Sequence, residues 1–156
     1  MADFDEIKAA FWGDGSYGVH PPLTDVLVRE AEAVLGVPLP AALLDLLRVQ
    51  NAGVVACGRR RCPTTAPTSW ADDHVPLPDL LGIGHTKGLT SLLDAPTLVE
   101  EWGLPAGVVP VSGDGPTWIA LDYRRAGEPA VVWLEDGREL ALAPDFRSFV
   151  EGLTGR

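Results

Sequence analysis

Residues 111–142, VSGDGPTWIALDYRRAGEPAVVWLEDGRELAL, read as a three-stranded antiparallel meander. Thr117 to Tyr123 and Ala130 to Glu135 are rich in β-branched and aromatic residues, and Gly, Pro or Asp clusters bound each run, as strands require. Asp136-Gly137 follows as a two-residue loop. That dipeptide favours the type I′ turn, whose twist matches the flanking strands, so Glu135 should face Arg138. With Arg124 to Pro129 as a six-residue connection, Tyr123 lies opposite Ala130. Ile119, Leu121, Val132, Leu134 and Ala141 then share one face, and Trp118, Ala120, Asp122, Val131, Trp133, Leu140 and Leu142 the other. A one-residue slip would exchange these sets, and both would remain mostly apolar. Neither face reads as freely solvated. Helices should cover one face and something should cover part of the other, with Asp122 and Glu135 near the sheet's margins.

The 156 residues suffice for one domain, 1–156, that buries roughly 68 to 70% of its unfolded surface without metals or disulfides. Apolar runs are broken by Pro, Gly or charge well short of the roughly 18 residues of a membrane helix. The opening MADFDEIKAAFW has no basic region ahead of an apolar one, which reads as a soluble, cytoplasmic chain with no membrane partner. Cys57 and Cys62 flank Gly-Arg-Arg-Arg; in a reducing cytosol they are expected as thiols, and C-x4-C without nearby His is a poor zinc site. The 22 acidic and 12 basic residues give a net charge of −10. Such a surface repels nucleic acid and anionic lipid and attracts cationic partners, although acidity also serves solubility alone.

Phe4, Ile7 and Phe11 recur at helical spacing within Asp3 to Trp12, with Asp3, Asp5 and Glu6 near the positive N-terminal end. Gly13-Asp14-Gly15-Ser16-Tyr17-Gly18 then reads as a connecting loop, since it lacks the GxxxxGK[ST] phosphate cradle. Thr24 or Asp25 caps a helix to Leu35 with Leu27, Ala31, Val34 and Leu35 on one face, and Pro40 opens a strongly apolar helix to Gln50. Asn51-Ala52-Gly53 reverses the chain into a strand at Val54 to Cys57. Gly58 to Pro78 reads as a long surface loop or excursion holding Arg59-Arg60-Arg61 and Trp70. Leu80 to Ile83 reads as a strand, and Gly82-Ile83-Gly84 as a turn, because GIGHTKG lacks the GxGxxG spacing of a dinucleotide site. Short helices follow at Leu89 to Leu93 and Pro96 to Trp102, and a last helix after Pro144 carries Phe146, Phe149, Val150 and Leu153 toward the sheet.

Chemistry-bearing patterns are scarce. His20, His74 and His85 form no H-x3-H or HExxH motif and read as surface or loop residues; GxSxG is absent, and neither cysteine has a catalytic context. The acid pairs Asp72-Asp73, Glu100-Glu101 and Glu135-Asp136 are adjacent in sequence, so their side chains point apart rather than forming dyads. The three arginines lack interleaved aromatics, which argues against a nucleic-acid partner.

The order of these elements resembles the SUKH superfamily, in its Smi/Knr-like branch, over nearly the whole chain. The resemblance rests on Glu32, Leu35, Gly36, Leu39 and Pro40 (E-x-x-LG-x-x-LP), the Asn51 turn, the Gly113-Asp114-Gly115 to Leu121-Asp122-Tyr123 strand and the Glu128-Pro129 to Trp133 strand. The turn departs from the family's usual two glycines by carrying Ala52. The resemblance implies an α+β domain with a central, largely antiparallel sheet and N-terminal and C-terminal helices packed on it, and no catalysis; no metal or cofactor is expected. Bacterial members look like immunity proteins of polymorphic toxin systems, and fungal relatives like regulatory scaffolds in cell-wall signalling.

The resulting expectation is a non-catalytic immunity protein that binds a cognate toxin, basic and of nuclease type. An intracellular regulatory scaffold is the alternative, and an enzyme acting on a small cationic substrate lies further off. The partner surface is expected at Trp70, Asp72 and Asp73, an aromatic with two carboxylates inside the long irregular stretch, with Glu100, Glu101 and Asp114 as a second acidic group. The competing expectation is that Trp70 only pins its loop to the sheet while Asp72 and Asp73 solvate it.

Overall fold

The computed structural model describes residues 4–155. Its sheet is four-stranded, in the order β5 (Val108–Asp114), β6 (Thr117–Asp122), β7 (Ala130–Glu135) and β8 (Arg138–Ala143), antiparallel throughout. Glu135 faces Arg138 as the Asp-Gly turn requires, and Asp136 and Gly137 both take positive φ, 42° and 82°. The meander thus has one strand more than the sequence suggests, because Val108 to Ser112 pairs with β6 instead of merely leading into it.

The β6–β7 register differs from the expected one by a residue. Asp122, not Tyr123, faces Ala130, and the connection is Tyr123 to Pro129. Tyr123 follows the last β6–β7 pair; its amide bonds the Gly107 carbonyl at 2.8 Å and its hydroxyl donates to the Pro38 carbonyl at 2.7 Å. Ile119 and Leu121 therefore share the inner face with Val131 and Trp133, while Ala120 shares the outer face with Val132 and Leu134. The β7–β8 register holds from Glu135 to Val132, with Trp133 opposite Leu140 and Val132 opposite Ala141, and a bulge then sets Val131 opposite Ala143.

The helices α1 (Phe4–Ala10), α2 (Asp25–Leu35), α3 (Ala41–Val49) and α5 (Phe146–Glu151) join the inner face in one core, to which Ile7, Phe11, Leu43, Leu47, Phe146 and Phe149 contribute fully buried side chains. Asp3, expected in the first helix, lies outside the described residues. Thr24 caps α2 by accepting from the Leu27 amide, and Gly36 ends it in the left-handed conformation. Val28 replaces the expected Val34 on its buried face; Val34 is exposed. The guanidinium of Arg147 lies 5.2 Å from the Phe4 ring, so the first and last helices meet over the sheet. On the outer face α4 (Ala95–Trp102) lends Val99, and the following Leu104, to a smaller cluster with Val108, Ala120, Val132 and Leu134. Arg124 bridges Asp122 and Glu139 on the exposed part of the molecule.

The stretch from Gly58 to Pro78 is more ordered than its composition suggests. It holds a small hairpin, β2 (Arg61–Pro63) with β3 (His74–Pro76), beside the short pair β1 (Gly53–Val54) and β4 (Asp79–Leu80). No disulfide forms: Cys57 is an exposed thiol, and burial pushes the Cys62 thiol up to about 11.

The Asn51 turn is the polar centre of the fold. Asn51 donates from Nδ2 to the Pro21 and Ile83 carbonyls, both at 2.8 Å, and accepts from the Ile83 amide at 2.9 Å. Gly82 and Gly84 are glycines for this reason: a Cβ on Gly82 would come 2.3 Å from Asn51 Oδ1, and one on Gly84 would come 2.5 Å from His20 Nδ1. His20 lies in a loop but is buried rather than at the surface, its ring bonded to the Thr86 hydroxyl at 3.0 Å and the Thr90 carbonyl at 3.3 Å.

Ala52 has φ +84° where the family pattern has glycine. Left-handed backbone costs an alanine about 1 to 2 kcal/mol, against roughly 0.5 to 1 kcal/mol for the extra freedom a glycine loses on folding. Ala52→Gly is therefore expected to be neutral or stabilising by up to about 1 kcal/mol in urea denaturation, whereas a buried Ala→Gly change in ordinary backbone destabilises. A clear loss of stability would contradict the strained turn.

Candidate protein-binding surface

Glu135, the last residue of β7, organises one end of the sheet. It is only 8% exposed, and burial opposes its ionisation, but the Ser69 hydroxyl and amide, the Trp133 indole N–H and the Arg138 guanidinium outweigh that and hold its carboxyl below the usual glutamate range. The Ser69 amide lies 3.0 Å and the Trp133 indole nitrogen 3.2 Å from Oε1, and the Ser69 hydroxyl donates to the same oxygen. Arg138 also donates to the Pro67 carbonyl. The loop between β2 and β3 is thereby tied to the β7–β8 turn. Inside the loop the Thr68 hydroxyl accepts from the Trp70 amide at 3.1 Å, and the Thr64 amide bonds the Asp73 carbonyl at 2.8 Å.

Trp70 is thus not the pin. Ser69 performs that role, and the Trp70 side chain stays 61% exposed beside a shallow depression formed with Arg60, Arg61, His74, Pro76 and Pro78. Asp72 and Asp73 are exposed next to it. The hydrogen bond with His74, at 2.8 Å, is the main cause holding the Asp73 carboxyl below the ordinary aspartate range. Two of the three neighbouring arginines are tied to main-chain carbonyls, Arg59 to Leu153 and Arg60 to Val55, so they do not form a free basic stripe.

Glu100 and Glu101 are exposed near the C-terminal end of α4, and Trp102 beside them remains 42% exposed. Trp102 and Leu104 border a hollow of about 230 Å³ that extends to Pro116, Asp136 and Arg138. A wider hollow of about 550 Å³ continues from there to Ser69. The end of α4 and the base of the Trp70 loop therefore meet at the same end of the sheet. Asp114 is exposed at the β5–β6 turn, and its carboxylate acts electrostatically on Asp79. Sequence reasoning missed Glu135, Ser69, Arg138 and Trp102 as parts of this surface. The available signal was Glu135 itself, a carboxylate ending the apolar run AVVWL.

Among the described residues no group of three His, Cys, Asp or Glu side chains is placed to hold a metal ion, and no helix is long and apolar enough to cross a membrane. His85 pairs with Glu30 at 2.9 Å, away from the Trp70 loop. No curated protein and no solved structure matches the chain. The model of the SMI1 / KNR4 family (SUKH-1) matches residues 22–152, a span that takes in the capped α2, the Asn51 turn and the whole sheet. Residues 22–152 being most of its length, the chain belongs to the SMI1 / KNR4 family (SUKH-1).

Proposed function

We propose that the protein is a non-catalytic immunity protein, acting in the cytoplasm, that binds and neutralises a basic toxin of nuclease type. The observation that carries this reading is Trp70, an exposed aromatic on a loop whose neighbouring residue is locked to a buried carboxylate. A loop whose backbone is already fastened loses less freedom on binding, and exposed aromatics ringed by polar groups are typical interface anchors. Asp72 and Asp73 beside it, and the net charge of −10, favour encounter with a basic surface. The family includes immunity proteins, which supports the same reading.

The test is growth rescue, by co-expression with a basic nuclease-type toxin domain, to be sought first among the genes adjacent to this one. Wild-type protein is expected to rescue growth. The Asp72→Lys/Asp73→Lys double variant is expected to lose rescue while its melting temperature stays nearly unchanged, since exposed pairs contribute only about 0.2 to 1 kcal/mol each. Association of the purified pair should slow as salt is raised. Full rescue by the double variant would place the toxin elsewhere, and an on-rate indifferent to salt would remove the electrostatic part. A regulatory scaffold would use the same surface without rescue, and an enzyme would show turnover in hydrolase and nuclease screens of the purified protein.

A further inference from the structure

A separate cleft of about 210 Å³ opens where β1 and β4 meet the C-terminal end of β5, lined among others by Tyr17, Asp79, Leu81, Leu89, Gly113 and Trp118. Small-molecule and cofactor pockets usually run from roughly 300 to 1,000 Å³, so this one suits a single side chain better than a cofactor. Its walls are aromatic and acidic. Tyr17 is 84% exposed at the rim, and the Trp118 ring is held by its indole N–H, which donates to the Gly115 carbonyl at 2.7 Å. Asp79 accepts from the Ser112 hydroxyl at 3.2 Å. Desolvation at the cleft wall is the main cause raising the Asp79 carboxyl above the ordinary range, and the Asp114 carboxylate adds to it against the Ser112 hydrogen bond. No ion pair among the described residues includes Asp79 or Asp114. One carboxylate, Asp79, therefore lines a concave site with two aromatic walls, a second, Asp114, acts on it from the adjoining turn, and among the described residues no cation pairs with either.

We propose that this cleft receives one arginine or lysine side chain of a basic protein partner, with its charge against Asp79, within the field of Asp114, and its stem along Tyr17 and Trp118. A cation there removes the repulsion between the carboxylates and gains the attraction of the ring faces, which an apolar occupant would not. The identity of the donor rests on the toxin-binding reading; the site itself does not.

N-acetyl-arginine amide titrated into the intact protein, followed by amide-resolved NMR, tests the site without any toxin. Saturable shifts are expected at Leu89, Gly113 and Trp118, with N-acetyl-norleucine amide producing none. Asp79→Asn, which still accepts from Ser112, is expected to weaken binding by up to about fivefold, as loss of one member of a solvent-exposed charge pair does. Tyr17→Ala, at a side chain outside the core, should also weaken binding and gives the answer if Asp79→Asn disturbs the fold. Shifts spread without saturation over the acidic surface, or an affinity unchanged in both variants, would overturn the proposal and leave the neutralisation reading standing. Saturable arginine binding together with failed growth rescue would support the cleft and remove the toxin reading instead.

Discussion

Replacing Asn51 with alanine is expected to cost about 3 to 5 kcal/mol and to lower the melting temperature by about 10 °C or more, the largest effect of any single polar substitution considered. The side chain is 2% exposed, and its amide is the hydrogen-bond partner of three main-chain groups, the Pro21 and Ile83 carbonyls and the Ile83 amide. Alanine leaves all three without that partner in a place where Gly82 packs against the turn too closely to admit even a methyl group. Each buried orphan costs about 1 to 3 kcal/mol, reduced when the backbone relaxes. Asn51→Asp should be no milder, because it presents a carboxylate to two carbonyl oxygens. Thermal and urea denaturation measure the effect, and a loss under about 1 kcal/mol would mean that the turn is held by its neighbours rather than by Asn51.

Glu135→Ala is expected to separate stability from presentation of the Trp70 loop. It deprives the Ser69 amide and hydroxyl and the Trp133 indole of their common acceptor, a loss of about 2 to 4 kcal/mol, and it detaches the loop from the β7–β8 turn. Limited proteolysis should then cut within residues 64–73 under conditions where the wild type resists, and growth rescue should weaken although Trp70, Asp72 and Asp73 are intact. The effect should depend on pH. Because the folded-state carboxyl of Glu135 lies below its unfolded value, its ionised form contributes stability at neutral pH. That contribution is complete above the ordinary glutamate range and disappears as pH falls through the depressed folded value. The gap between wild type and Glu135→Gln should narrow accordingly in acid. An undiminished gap at low pH would show that charge is not what ties the loop.

The sequence disclosed most where a local rule is strict. Asp136-Gly137 specifies its own dihedrals, so the β7–β8 register could be read directly, and Thr24, Gly36 and the apolar spacing of α3 marked their helices. The β6–β7 register could not be read in the same way. Both faces of those strands are apolar, so sliding by one residue leaves the pattern equally good, and contacts such as that of Tyr123 with Pro38 join segments far apart in the chain. The β2–β3 hairpin was hidden for a related reason, its strands of three residues each being too short for alternation to register. At the candidate surface, Trp70, Asp72 and Asp73 stood out by composition. Their fastening through Ser69 and Glu135, and the approach of Asp79 to Asp114, are properties of distant segments meeting and have no local signature.

The meeting of α1 with α5 over the inner face has a consequence for how the chain is made. Ile119, Leu121, Val131 and Trp133 share one core with helices from both ends of the described stretch. During synthesis from the N-terminus the sheet strands emerge before α5, so for the time needed to make the last helix this apolar surface is only partly covered. At about 5 to 20 residues per second that interval is on the order of a second, long compared with the microseconds in which a hairpin forms. Any state in which the sheet has paired but α5 has not yet docked exposes Val131, Trp133 and their neighbours, and there holdase chaperones have something to grip and neighbouring chains something to stick to.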